Sequence, residues 1–155
     1  MDESPARYFH IPFLERGRSV EGVDCWGLIV LIYREQFGIT LPPYADSYET
    51  TSRVSADAMA ATVEHEKAEH WRAVAEADAC FPDAILLRLW NRPMHVGVVI
   101  ERGRFLHAIE GVGVCVERYK DRQWINRVLG FYRHRAMDNA RYDHRHISHQ
   151  HDRPG

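Results

Sequence analysis

Residues 21–33 read EGVDCWGLIVLIY, with a cysteine standing at the mouth of an apolar run. From Cys25 to about Phe37 the side chains are apolar nearly all round, which suits a helix buried in a core. Its limits are marked at both ends. Asp24 can accept from the free N–H groups of the first turn, Arg34 stands near the last turn, and Gly38 is the residue type on which helices commonly end. Cys25 therefore falls in the first turn, where unpaired N–H groups and the positive end of the helix dipole favour a thiolate over a thiol. A free cysteine is more often a small buried hydrophobe, so a nucleophile needs a base within reach.

Outward from this helix the texture changes twice. Upstream, residues 1–21 hold Pro5, Pro12, Gly17 and scattered charges, an irregular lead-in with a turn or loop over Pro12 to Gly17. Downstream, LPPY breaks the chain, and SADAMAATVEHEKAEHWRAVAE sets Met59, Val63, Trp71 and Val74 on a charged background, predicting one surface helix or two. After Phe81-Pro82-Asp83 come alternating or β-branched runs, AILLRLW, HVGVVIE, RFLHAIE, GVCVERY and VLGFYRH, punctuated by Gly, Pro and Asn. Helix first and an antiparallel meander after it is an α+β arrangement of one domain over residues 1–135. Residues 136–155 are polar, lack periodicity and carry His144, His146, His149 and His151, so disorder is expected there.

Candidate bases are His95 and His107, both inside apolar strands where an unpaired imidazole is costly. A core histidine bonded to a backbone carbonyl is the ordinary alternative. Register decides their relation. A two-residue turn at Arg102-Gly103 would pair Glu101 with Arg104 and put the two histidines on opposite faces. A three-residue loop, Glu101 to Gly103 with the glycine left-handed, pairs Ile100 with Arg104 and Gly97 with His107. His95 then becomes the diagonal neighbour of His107, and Gly97 leaves room for both rings. The expected assignment is a Cys25 nucleophile with one histidine as base and the other orienting it; spacing does not fix which one touches sulfur. Cys80 and Cys115 have no helix terminus beside them and are weaker candidates.

The totals narrow the field. A chain of 155 residues, 45% hydrophobic and 27% charged, suits one globular domain with a real core. A formal charge of −2 with interspersed signs gives no footprint for nucleic acid. Three cysteines without C-x-x-C spacing suggest neither a disulfide framework nor a structural zinc site. The N-terminal residues lack a signal-peptide pattern, and the purest apolar run, Leu28 to Ile32, is too short to cross a bilayer, so synthesis in the cytoplasm without membrane insertion is expected.

The residues quoted so far resemble the NlpC family of papain-like cysteine peptidases, and within it the phage tail-assembly branch. The likeness covers most of residues 8–135. RGRSVEGVDCWGLIVLIY followed by GITLP resembles the nucleophile segment, MHVGVVIERGRFLHAIEGVGV the histidine segment, and WINRVLGFYRHR the closing strand. Trp26, where the wall-hydrolase branch has serine, is what points to phage tails. The resemblance implies a papain-like α+β core with the nucleophile helix packed on an antiparallel sheet, His95 as general base and His107 as its orienting residue. It also implies cleavage of peptidoglycan stem peptides, typically between D-glutamate and the following diamino acid, by a virion-borne enzyme docked on tail-tip proteins and acting at the host wall. Phe13 stands where many relatives carry a tyrosine, so the oxyanion would rely on another donor such as the Cys25 N–H.

Arg16, Arg18 and Arg92 are expected to meet the substrate's carboxylates, with Asp24 and Trp26 flanking the nucleophile as further substrate-binding residues. No cofactor is expected. A zinc ion on Cys25, His95 and His107 would lack a fourth ligand and second-shell signals. Two other functions compete: a catalytically inactive structural tail-tip component, and a different thiol-dependent acyl transfer such as an amidase, since a Cys-His pair leaves the acyl acceptor open.

Overall fold

The computed structural model describes residues 4–138. Helix α1 (Cys25–Phe37) occupies the expected span: Asp24 Oδ1 accepts from the Gly27 N–H at 2.8 Å, and Gly38 closes the helix at φ 65°. Every residue from Leu28 to Tyr33 is buried, and each such apolar side chain contributes about 1.5–3 kcal/mol on leaving water. Packing on all sides, more than amphipathic patterning, holds α1 in place. A short hairpin, β1 (Arg18–Ser19) with β2 (Gly22–Val23), lies against its start. The contact is close: a Cβ on Gly27 would stand 1.9 Å from the Gly17 carbonyl oxygen, so only glycine lets the two backbones meet.

Helix α2 (Ala56–His70) ends earlier than its sequence suggests. Trp71 and Val74, expected on a helix, belong to strand β3 (Trp71–Val74), paired through Trp71↔His134 and Val74↔Phe131. Helix propensity in the AVAE stretch yields there to a strand edge that needs a partner. The remaining strands are β4 (Ala84–Leu89), β5 (Arg92–Glu101), β6 (Arg104–Ile109), β7 (Gly113–Arg118) and β8 (Val128–His134). They form an antiparallel sheet in the order β3-β8-β4-β5-β6-β7. Only β4 to β7 is a meander; β8 returns across the sheet and inserts between β3 and β4.

The β5–β6 turn corrects the expected loop while keeping its consequence. Glu101 pairs with Arg104, but the register shifts between Val99 and Glu101, so that Val99 faces Phe105 and Val98 faces Leu106. One extra residue at Ile100 thus restores the alignment that a three-residue loop would have given. Gly103 takes the left-handed conformation at φ 87°.

The sheet separates two apolar layers. On one face Met94, Val96, Val98, Leu106 and Ala108 pack with α1. A second cluster holds Leu87, Val99, Phe105, Trp124 and Phe131. Residues 135–138 are helical, and Met137 is 1% exposed and part of the core, so the folded unit passes the expected boundary at 135. The rest of the polar, histidine-rich tail lies outside the described residues. Among the described residues no helix is long and apolar enough to cross a membrane.

Candidate active site

Asp24, immediately before the cysteine, is fully buried and accepts from four donors. These are the Gly27 N–H at 2.8 Å, the Arg16 N–H at 2.9 Å, the Arg18 guanidinium at 2.8 Å and the Tyr48 hydroxyl. Two of the expected substrate contacts are thereby spent inside the protein. Asp24 is a structural hub with no face for a ligand, and Arg18 also donates to the Pro43 and Gly17 carbonyls and to Tyr48. Arg92 is held by Asp57 at 2.7 Å on the surface. Arg16 keeps an exposed side chain beside the hub. Trp26 is half-buried and donates from Nε1 to the Pro42 carbonyl at 2.9 Å. Its ring and Cys25 border an apolar cavity of about 60 Å³, lined also by Tyr44, Tyr48, Met94 and Val96.

The sulfur of Cys25 is met by the backbone N–H groups of Val96 and Trp26. The β5–β6 ladder begins only at Val98, and the thiol contacts the strand ahead of it, at the residue next to His95. His95 is buried; its Nε2 lies 2.8 Å from His107 Nδ1, the pairing that the Gly97 register predicts. A Cβ at Gly97 would stand 2.8 Å from both the Leu106 carbonyl and the Phe105 ring and 3.3 Å from His107 Cβ, which is why glycine occupies this position. The Cys25 thiol thus meets β5 at Val96, one residue from His95, and His95 is paired with His107 on the neighbouring strand.

Two partners of the histidines were not foreseen. His107 Nε2 lies 2.5 Å from Glu117 Oε2, and Gln123 Nε2 donates to Glu117 Oε1 at 2.9 Å. In the β6–β7 register His107 faces Cys115, which makes Glu117 its diagonal neighbour. The rule that relates His95 to His107 therefore could have found Glu117. Trp124 is the second: its ring stacks on His95 at 6.0 Å and meets His107 edge-on at 5.2 Å. Its buried Nε1 has no hydrogen-bond partner. His107, Cys115 and Glu117 also offer one metal-ligating atom each within 4.8 Å of one another.

Burial sets the resting protonation. It pushes the Cys25 thiol up to about 12, the charge of Asp24 adding to it, against the opposing pull of the Val96 and Trp26 N–H groups and of Arg18. It holds His95 down to about 3, with His107 contributing, and His107 down to about 3. Burial therefore opposes charge on both groups, and at the thiol the neighbouring Asp24 carboxylate works against the pull of the helix terminus. Cys115 is likewise raised by burial and by Glu117.

The site thus joins a helix-borne cysteine to a strand that carries one of two paired histidines, on an antiparallel sheet. Residues 11–133 match the profile of the NlpC/P60 family, and the chain belongs to that family. It is 26% identical over 111 residues to the murein DD-endopeptidase MepS/murein LD-carboxypeptidase of Escherichia coli K12, covering 72% of this chain and 49% of the relative. The chain thus spans about half the length of the curated relatives it matches. Among solved structures, an NLP/P60 family lipoprotein-like protein of Staphylococcus aureus aligns with a TM-score of 0.58 at 23% identity, over 82% of this chain and 37% of that one. The NlpC/p60 domain of the peptidoglycan hydrolase SagA gives 0.55 at 21% over 82% and 89%. A family protein of Bacillus cereus gives 0.60 at 20% over 83% and 37%. These likenesses show the fold, mixed helix and antiparallel sheet.

Proposed function

We propose that this protein is a peptidoglycan endopeptidase that cleaves stem-peptide amide bonds through Cys25, His95 and His107. The observation that carries the reading is the contact of the buried Cys25 thiol with the Val96 N–H, one residue along β5 from a histidine whose Nε2 is already committed to His107. His95 Nδ1 removes the thiol proton as sulfur attacks the carbonyl carbon, so the base acts during attack and no stored ion pair is needed. The Cys25 N–H, in the first turn of α1, stabilises the oxyanion in the absence of a hydroxyl at Phe13. Collapse of the tetrahedral intermediate forms a thioester and expels the amine, which takes the proton from His95; water then releases the acid by the reverse sequence.

The bond proposed is that between D-glutamate and the diamino acid, with exposed Arg16 placed to meet a stem-peptide carboxylate. Delivery on a phage tail, docked on tail-tip proteins after synthesis in the bacterial cytoplasm, is supported by Trp26 directly after the nucleophile. The name of the E. coli relative favours a second reading, cleavage of the D,D cross-link between stem peptides. Digestion of diaminopimelate-type sacculi followed by mass spectrometry separates them. The first reading predicts a new free amine at the diamino acid's L-centre, the second at its D-centre. Intact sacculi and muropeptides at every pH between about 5 and 9 would instead favour an inactive structural component of the tail, and transfer to an acceptor other than water an acyl transferase.

A further inference from the structure

We infer that Glu117 is a positioning residue that fixes the direction of every proton between the sheet edge and Cys25, a role that rests on reading Cys25 and His95 as nucleophile and base. An ionised carboxylate can only accept, so the 2.5 Å contact with Glu117 Oε2 requires the proton of His107 to sit on Nε2. A neutral imidazole carries one N–H, which leaves His107 Nδ1 as an acceptor. The ring nitrogen 2.8 Å away, His95 Nε2, must therefore donate. His95 Nδ1 is then left with its lone pair, and it is the only nitrogen of that ring not engaged with His107. A carboxylate two strands from the thiol thus decides that the nitrogen available to it is a base.

Without this anchor the two histidines fit together equally well the other way round. His107 would donate from Nδ1, His95 Nε2 would accept, and the His95 proton would sit on Nδ1, where it cannot take the proton of a thiol. The surroundings maintain the anchored state. Gln123 Nε2 holds Glu117 Oε1, and the rings of Trp124 and Phe105 pack against His107 at 5.2 and 4.5 Å, keeping water from offering a competing acceptor. When the Cys25 S–H bond breaks and an N–H bond forms at His95 Nδ1, the new imidazolium still donates from Nε2 to His107, and the negative end of the chain lies on the side away from sulfur.

The test uses the full chain labelled with nitrogen-15 in its histidines, with His95 and His107 assigned by substitution, and reads tautomers from two-bond nitrogen–proton couplings beside kcat/KM on muropeptides. In the wild type both rings are expected as the Nε2–H form. Glu117→Gln keeps an acceptor oxygen and is expected to keep that pattern. Glu117→Ala is expected to give mixed or inverted tautomers and to lower kcat/KM by about 10- to 100-fold, on the scale of carboxylates that orient metal-bound histidines. His107 as Nδ1–H in the wild type would overturn the inference with no variant needed. So would Glu117→Ala with unchanged tautomers and unchanged kcat/KM. A tautomer switch in a wild-type background that hydrolyses nothing would uphold the role of Glu117 and count against the hydrolase reading alone.

Discussion

Replacing Asp24 with alanine probes the link between the fold and the nucleophile. The carboxylate is fully buried, caps α1 through the Gly27 N–H, and pairs with an Arg18 side chain that is only 13% exposed. Loss of an N-cap costs about 1 kcal/mol, whereas stripping one partner from a buried ion pair costs about 3–5 kcal/mol. Because one group serves both roles the costs overlap, and the expected loss is about 3–5 kcal/mol, a large share of a domain's total of about 5–15. At about 2–4 °C per kcal/mol for a chain of this size, Tm should fall by about 6–20 °C. Urea unfolding followed by tryptophan fluorescence measures it. Asp24→Asn, which keeps an oxygen towards Gly27, should cost less and should ease ionisation of Cys25, since the charge of Asp24 is the second cause holding the thiol up. A loss under about 1 kcal/mol for Asp24→Ala would refute the hub. So would an Arg18→Met cost that is the same with and without Asp24, because a true pair must couple.

Two further outcomes follow from the same geometry. Gly27→Ala, whose Cβ would meet the Gly17 carbonyl at 1.9 Å, should force the β1–β2 hairpin away and destabilise by about 1–3 kcal/mol in chemical denaturation, and a neutral result would contradict the close approach. His95 and His107 are held down to about 3, so the unfolded chain binds more protons below about pH 6.5 and stability falls as pH drops from there towards 3. The slope is about 1.4 kcal/mol per pH unit for each histidine that titrates independently, and His107→Gln should flatten it in urea titrations at stepped pH.

The helix from Cys25 to Phe37 was legible to the residue because its cap, its apolar content and its terminal glycine agree. Strand positions in the β4–β7 meander were legible for the same reason of alternation. What failed depended on distant partners. Trp71 to Val74 looks helical until β8 supplies an edge, and β8 can be placed between β3 and β4 only when the sheet is assembled. The histidine pair was found through register although the turn was drawn wrongly, since a bulge at Ile100 and a longer loop shift the pairing equally. For two of the three arginines the sequence could not show who neutralises the charge: Asp24 takes Arg18 and Asp57 takes Arg92. The burial that opposes charge on Cys25 was not legible, because a helix terminus is visible in sequence and full enclosure is not.

The most direct test of the account is a comparison of cysteine variants on isolated muropeptides, quantified by mass spectrometry of the released fragments. Cys25→Ala should abolish release while retaining the wild-type circular dichroism and unfolding midpoint within about 1–2 kcal/mol, the cost of a small buried change. The double variant Cys80→Ala, Cys115→Ala should retain turnover within about tenfold, since neither thiol takes part in the bond exchange. Undiminished cleavage by Cys25→Ala, or loss of cleavage in a folded double variant, would contradict the assignment of the nucleophile.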